Sequence, residues 1–300
     1  MADIIQTNGL TKSYGHNRGI INVTFSVAEG EVFGFLGPNG AGKTTTMRTL
    51  MGLLHASSGT ATIGGLDCWS QSTEVKKLVG YLPGELSLDP TLTGAQILTY
   101  LSNLRGGGDP KYVSQLCDRL GLDPRKRFRE YSHGNKQKVG LVQAFMHRPR
   151  LIILDEPTSG LDPLNQQEFY AMVKEVRDDG RTVFLSSHIL PEVEQTCNRV
   201  GIIREGQLVT VDAVTKLRDL KQHVVEITFP ETPQTSWFGG IATARDVRLD
   251  GDNHTIHLTT SGELGPIIQV AAQHQATNIS TTEPSLEEVF LRYYEPAATK

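Results

Sequence analysis

Gly37 to Thr45, Gly-Pro-Asn-Gly-Ala-Gly-Lys-Thr-Thr, is the stretch of this chain best suited to chemistry. Its first eight residues fit the pattern G-x-x-x-x-G-K-[ST] in full. Glycines let a backbone curl until successive N–H groups face one anion, and a helix starting behind the loop adds its positive end. Gly37, Pro38, Asn39, Gly40, Ala41 and Gly42 then form a phosphate cradle. Lys43 would reach the β- and γ-phosphates and Thr44 would ligate Mg2+. The expected ligand is a nucleoside triphosphate. The pattern alone does not separate kinases, GTPases, motor ATPases and transport ATPases.

Further along, Leu-Ile-Ile-Leu ends in Asp155 and Glu156. Asp155 is expected at the carboxyl end of a central strand, beside Thr44, in reach of the metal through water. Glu156 is placed to polarise an attacking water. His188 closes a third strand, Thr-Val-Phe-Leu-Ser-Ser-His. It shares with Lys43 and Glu156 the sheet edge where ligands of open α/β folds bind. A second phosphate grip is spelled at Tyr131 to Val139, Tyr-Ser-His-Gly-Asn-Lys-Gln-Lys-Val. Ser132 can cap the helix that follows and Gly134 permits a close backbone approach. Val139, Val142, Phe145 and Met146 are that helix's buried stripe. The chain holds no second strand, loop and lysine set for this grip to complete. Its phosphate is therefore expected on a facing subunit.

The elements that must position these residues follow from periodicity. Glu31 to Gly37, Leu151 to Leu154 and Thr182 to Leu185 read as buried strands, as a parallel sheet covered on both faces requires. Lys43 to Leu54 reads as a helix. Asp162-Pro163 caps another, whose Phe169, Met172, Val173 and Val176 recur at helical spacing up to Gly180. Between about 85 and 150 strand signals vanish. Thr93 and Gln96 make a capping box, and Lys111–Leu120 and Asn135–His147 are helical, so this region is a helical insertion. The expected fold class is α/β, with domain 1–219 followed by a small α+β domain, 220–300. The joint, Thr215 to Gln222, reads as a short helix. The tail shows a strand at His223 to Phe229, a hairpin turning at Asp250-Gly251, and helical runs Leu264–Gln273 and Pro284–Tyr294.

Composition bounds the function. The chain has 300 residues, 38% hydrophobic and 21% charged, with net charge −4. This is the profile of a globular protein with no general drive toward nucleic acid. From Lys221 onward there are five Lys/Arg and ten Asp/Glu, which leaves 24 of the 29 basic and 23 of the 33 acidic residues before it. The acidic excess therefore belongs to the tail. No apolar run approaches the ~18 residues of a membrane span. The first residues lack a secretory layout, so a cytoplasmic setting is expected. Cys68, Cys117 and Cys197 are too few and too scattered for a disulfide framework. His254, His257 and His274 lack metal-ligand spacing, and the first two would face opposite sides of one strand. The basic run Arg125, Lys126, Arg127, Arg129, Lys136 and Lys138 reads first as a solvated face and second as an approach to a facing nucleotide.

Taken in order, Lys12 to Gly15 (Lys-Ser-Tyr-Gly), the phosphate loop, Tyr-Ser-His-Gly-Asn, the strand ending Asp-Glu-Pro, Ser-Gly-Leu-Asp and Ser-Ser-His-Ile-Leu resemble the nucleotide-binding subunit of an ABC transporter. The likeness covers about Asp3 to Asp212. It implies a P-loop NTPase sheet with an antiparallel β subdomain, and ATP with Mg2+. By this resemblance Tyr14 stacks on adenine, and Gly37, Asn39, Gly40, Gly42, Lys43, Thr44 and Thr45 hold the phosphates. Glu156 is the hydrolytic base, His188 contacts the γ-phosphate, and Asp162 belongs to a loop crossing a dimer interface. Two departures stand out. The family's Leu-Ser-Gly-Gly-Gln is Tyr131-Ser132-His133-Gly134-Asn135 here. Its metal-contacting glutamine falls on Gly84, so Glu85 or a water takes that place, or Glu85 is a plain surface residue.

Pro284 to Tyr294, after an α+β tail, resembles bacterial export-type members, drug and antibiotic exporters among them. The implied protein is an ATPase at the cytoplasmic face of the cell membrane. It would act with a transmembrane permease and a second ATP-binding subunit. The alternatives are an ABC ATPase acting on ribosomes or DNA, and a small-molecule kinase. The tail itself reads as an interaction or regulatory module, or as packing alone.

Overall fold

Three strand sequences carry no polar alternation, and all three are buried at every position: β3 (Val32–Leu36), β7 (Leu151–Asp155) and β8 (Thr182–Ser187). Strands buried on both faces have no solvent side to encode. The structure, a computed structural model, describes residues 2–15, 19–219, 223–260 and 263–282. It divides into two compact units, Met1–Val214 and Thr215–Lys300.

The first unit begins with β1 (Asp3–Ser13) and β2 (Gly19–Ala28), then β3. Next come α1 (Lys43–Leu50), β4 (Ser58–Ile63), β5 (Leu66–Asp67), α2 (Ser72–Leu78) and β6 (Val79–Leu82). Three helices follow: α3 (Gly94–Leu104), α4 (Pro110–Arg119) and α5 (His133–Phe145). The chain then alternates β7, α6 (Pro163–Asp178), β8, α7 (Leu190–Thr196), β9 (Arg199–Arg204) and β10 (Gln207–Ala213). A six-stranded sheet has the order β10-β9-β3-β8-β7-β6. All its pairs are parallel except the antiparallel β9–β10 edge. A second, antiparallel sheet has the order β2-β1-β4-β5.

The two sheets share a core. Phe25 on β2 stacks on Phe33 and Phe35 of β3 and on Phe184 of β8, with ring centroids 5.6, 5.5 and 5.7 Å away. Met47 and Leu50 of α1 join this cluster. On the other face of the parallel sheet, Leu98 of α3, Leu116 of α4, Val139, Val142 and Phe145 of α5 and Phe169 of α6 pack with Leu82, Leu154 and Leu185. The region between β6 and β7 is helical, as its sequence predicts.

Element ends moved where a backbone turn intervened. α1 stops at Leu50, not Leu54, because Gly52 takes φ 62°. Leu53 N–H then bonds Arg48 O at 2.9 Å and Gly52 N–H bonds Thr49 O at 3.0 Å, a left-handed helix stop. α5 starts two residues before Asn135, since Ser132 caps it: Asn135 N–H reaches Ser132 Oγ at 3.3 Å.

The second unit contains β11 (His223–Thr228), β12 (Ala244–Leu249), β13 (Thr255–Thr260), α9 (Gly265–Gln273) and β14 (Asn278–Thr282). A short helix, α8 (Val214–Asp219), precedes β11 where the sequence places the joint. The sheet order is β12-β13-β11-β14, antiparallel throughout. Its core is Val225, Ile227, Phe229, Phe238, Ile256, Leu258 and Ile267. His254 lies before β13 and not in it, because the hairpin connection is longer than a two-residue turn. The expectation of two histidines on opposite faces of one strand is thus corrected. His257 sits 3.3 Å from Glu226 Oε1 and 3.4 Å from Asp250 Oδ2. The helical run Pro284 to Tyr294 lies outside the described residues.

Phe184→Ala removes the ring shared by β2 and β3 and is expected to cost about 3–5 kcal/mol. Urea unfolding should show a lower midpoint with an unchanged slope. A loss under about 1 kcal/mol would mean the two sheets do not depend on this cluster.

Candidate nucleotide site

β3 lies between β8 and β9, so the loop leaving it emerges at the carboxyl edge of the parallel sheet. Gly37 N–H bonds Ser187 O at 3.2 Å, and Ala41 N–H turns back to Pro38 O at 3.2 Å. Gly42 takes φ 109°, and a Cβ there would stand 2.7 Å from Ile20 Cγ2. Only glycine fits that corner, which starts α1 at Lys43. Lys43 is nearly buried. Its Nζ donates to Gly37 O at 2.6 Å and Pro38 O at 3.2 Å, and it lies 3.0 Å from Glu156 Oε1. A lysine curled into its own loop leaves N–H groups and a cation ready for phosphate oxygens. Thr44 and Thr45 follow, both half-buried. An open cleft of about 800 Å³ is lined by Tyr14, Gly40, Gly42 and Thr45 together with Ile21 and Gln207. Tyr14 is 53% exposed beside the phosphate loop, and Lys12 Nζ lies 5.5 Å from its ring centre.

Asp155 ends β7 with no exposure at all. Its Oδ1 accepts from Ser186 Oγ at 2.7 Å, and its Oδ2 has no hydrogen-bond partner among the described residues. A buried anionic oxygen without a partner is costly. This one suits a hard cation or the water bound to it, so the residues fit Mg2+. Gly84 bears on the same oxygen: a Cβ added there would stand 3.0 Å from Asp155 Oδ2. The backbone therefore aims position 84 at the carboxylate, and glycine leaves the approach open. Glu85 is exposed to solvent.

Glu156 is the next residue and takes φ 50°, in the left-handed region. A non-glycine residue held there stores strain of about 1 kcal/mol or more. Its N–H bonds Ser186 Oγ at 3.0 Å. Its carboxylate lies between two cation-forming groups, with Oε1 3.0 Å from Lys43 Nζ and Oε2 2.7 Å from His188 Nδ1. Lys43, Glu156 and His188, predicted from three separate motifs, therefore meet.

Ser132 and Gly134 open α5. A Cβ on Gly134 would be 2.3 Å from Gly160 O. The close approach this glycine permits is thus to a loop of its own chain. His133 Nε2 is 3.3 Å from Ser159 Oγ in the same loop. Asp162 caps α6, with Oδ1 accepting from Asn165 N–H at 3.0 Å. The basic run does not form one face. Lys138 is buried, Arg125 pairs with Asp123 at 2.9 Å, and Lys136 lies over the Phe128 ring. Cys68 and Cys117 are buried thiols, and burial pushes them up to about 12 and about 11.

Sequence reasoning missed three residues. Ser186 ties Asp155 to Glu156. Gln137, buried on α5, donates to Glu156 O at 2.9 Å and Pro157 O at 3.1 Å. A polar residue four before Leu141 and eight before Phe145, on the buried stripe, was the available signal. Glu192 on α7 is 2% exposed, and its Oε2 accepts from Ser187 Oγ at 2.5 Å. Thr158 faces the same carboxyl, which joins the loops carrying Glu156 and His188.

Burial pushes the Glu192 carboxyl up from 4.5 to about 7, Glu156 adding to the rise while Ser187, Thr158 and His188 oppose it. An acid raised in the fold gives stability that is full below its unfolded pKa and lost as pH rises through the folded one. Glu192→Gln should therefore melt close to the wild type near pH 4.5 and above it at pH 8. A difference in melting temperature that does not vary with pH would rule out the buried neutral acid.

Residues 20–159 match the family model described as ABC transporter. The chain is 36% identical to the bacitracin transport ATP-binding protein of Bacillus licheniformis, over 97% of each chain. It is 30% identical to the linearmycin resistance ATP-binding protein of Bacillus subtilis strain 168, over 96% of this chain and 97% of that one. Among solved structures, an ATP-binding subunit of an ABC transporter superposes with a TM-score of 0.67 at 28% identity, covering 72% of this chain and 92% of the other. A dimeric ATP-binding cassette bound to ADP and phosphate shares the fold, with a TM-score of 0.64 at 20% identity over 70% and 98% of the two chains. With the phosphate loop, the buried aspartate and the Lys43–Glu156–His188 cluster on one sheet edge, this chain belongs to the ATP-hydrolysing, ATP-binding subunits of the ABC transporter family.

Proposed function

We propose that this ATPase powers export of an antibiotic or drug-like substrate through a separate transmembrane partner, working as one of a pair of cassettes at the cytoplasmic face of the membrane. The observation that carries the catalytic reading is Glu156 held between Lys43 and His188. Its carboxylate is positioned to accept a proton from a water attacking the γ-phosphate. Lys43 and the loop N–H groups hold the phosphates, and Tyr14 stacks on the base. Mg2+, held by Thr44 and through water by Asp155, would neutralise charge on the β- and γ-oxygens. His188 contacts the γ-phosphate and keeps Glu156 oriented.

Ser132 and Gly134 take the nucleotide of the facing cassette, and the loop through Asp162 lies at that interface. The second cassette is either another copy or a related chain. Export is supported by the full-length similarity to proteins named for bacitracin transport and linearmycin resistance. The same similarity disfavours the ribosome- or DNA-acting alternative. Among the described residues no helix is long and apolar enough to cross a membrane, so the membrane path is assigned to a partner. The acidic second unit is assigned an interaction or regulatory role.

Glu156→Gln should lower ATP turnover by about 100-fold or more and accumulate an ATP-bound dimer on size exclusion. Full turnover in that variant would remove Glu156 as the base. Ser132→Glu should abolish hydrolysis while ATP affinity, read by equilibrium dialysis, stays near the wild-type value. Loss of ATP binding as well would place both grips on one nucleotide and end the dimer assignment. Isolation from membranes in mild detergent should bring down a polytopic protein. Recovery with ribosomes instead would overturn the export reading.

A further inference from the structure

The left-handed backbone of Glu156 must be over-determined by its surroundings to persist. One restraint comes from the sheet, where Ser186 Oγ accepts the Glu156 N–H at 3.0 Å. The other comes from α5. Gln137 is 4% exposed, and its Nε2 donates to Glu156 O at 2.9 Å and to Pro157 O at 3.1 Å. Glu156 O also accepts Ser159 N–H at 3.2 Å. A buried amide must satisfy its N–H groups, and here they go to the carbonyls on either side of the Glu156–Pro157 peptide bond nitrogen's residue. The same helix meets the same loop at its first residues, through His133 and Ser159 and through Gly134 and Gly160. α5 and the loop 156–160 are therefore fastened along a continuous line from the helix start to Gln137.

We propose that Gln137 is a positioning residue for Glu156: its amide holds the left-handed backbone that aims the carboxylate between Lys43 and His188. This rests on Glu156 as the base and on Ser132 as the grip for the facing nucleotide. The consequence is directional. α5 carries Ser132 toward one nucleotide and Gln137 to the base that serves the other. A shift of the helix start when the facing nucleotide binds is passed to the loop 156–160 of the same chain along these contacts, and Gln137 is the side chain among them that reaches the carbonyl of Glu156 itself.

The test uses the full chain, with ATP as substrate. Gln137→Met keeps the length and loses both donors. Gln137→Glu keeps the length and, when ionised, faces two carbonyl oxygens. Both should lower kcat by about tenfold or more, as displacement of a reacting group does, with KM and the ATP dissociation constant changed less than about twofold. Because a protonated glutamate regains one O–H donor, kcat of Gln137→Glu relative to Gln137→Met should rise as pH falls from 8 to 6. Added to Glu156→Gln, Gln137→Met should cause no further loss, since the carboxylate it positions is gone. Wild-type kcat in Gln137→Met, loss of ATP affinity in parallel with kcat, a flat pH ratio, or an additive double variant would each overturn the proposal. A dead Glu156→Gln beside an unimpaired Gln137→Met removes the positioning role alone. Full turnover in Glu156→Gln removes the base assignment and the proposal with it.

Discussion

A carboxylate with no solvent exposure, Asp155, sits at the end of a wholly apolar strand. Much of the surrounding structure can be understood as its compensation. Burying an isolated charge costs several kcal/mol unless it is hydrogen-bonded and paired. Ser186 supplies the hydrogen bond to one oxygen from the neighbouring strand. The other oxygen is left without a protein partner among the described residues, and Gly84 keeps its approach open. The negative charge is thereby kept available at the sheet edge where the phosphate loop also emerges. Lys43, curled into that loop, lies against the adjacent Glu156.

The same loop must also deliver Glu156, and it does so at the expense of backbone strain. The strain is tolerated because neighbours on both sides fix the peptide: Ser186 from the sheet and Gln137 from the helical insertion. Ser186 thus serves both acidic residues, through its O–H toward Asp155 and its lone pair toward Glu156. Glu192 does a related task, its carboxyl group accepting from Ser187, the residue before His188, and facing Thr158 in the loop after Glu156. These polar contacts lie between elements remote in sequence, beside a core made mainly of Leu, Ile, Val and Phe. Networks of this kind specify one geometry, since a half-satisfied arrangement in a low dielectric is unfavourable.

Much of this was readable from the chain. The apolar strands, the capping residues Ser132, Thr93 and Asp162, and the glycine-rich loop follow local rules that act over a few residues. So does the helical character of the insertion, where a capping box and apolar spacing coincide. Where the structure departs from the sequence pattern, a local backbone event decides. Gly52 stopped α1 early, and the longer connection after β12 moved His254 out of the strand. The basic run is close in sequence, but it crosses the loop before α5 and then enters that helix, so Lys138 on α5 is buried while Arg125 in the loop pairs with its neighbour Asp123.

By itself the sequence determined which residue types could handle a phosphate, and in what order they occur. Periodicity and short motifs are local, and they survive without a fold. Only the tertiary structure decided that Lys43, Glu156 and His188 converge, because parallel strands β3, β7 and β8 must first align at one edge. It alone decided that Gly134 packs on Gly160 and that Gln137 reaches the carbonyl of Glu156. Those contacts span 19 to 26 residues of chain and depend on how α5 seats against β6 and β7. No short-range pattern encodes such pairings. They are fixed by the packing of buried side chains, which brings these polar groups within hydrogen-bond distance of one another.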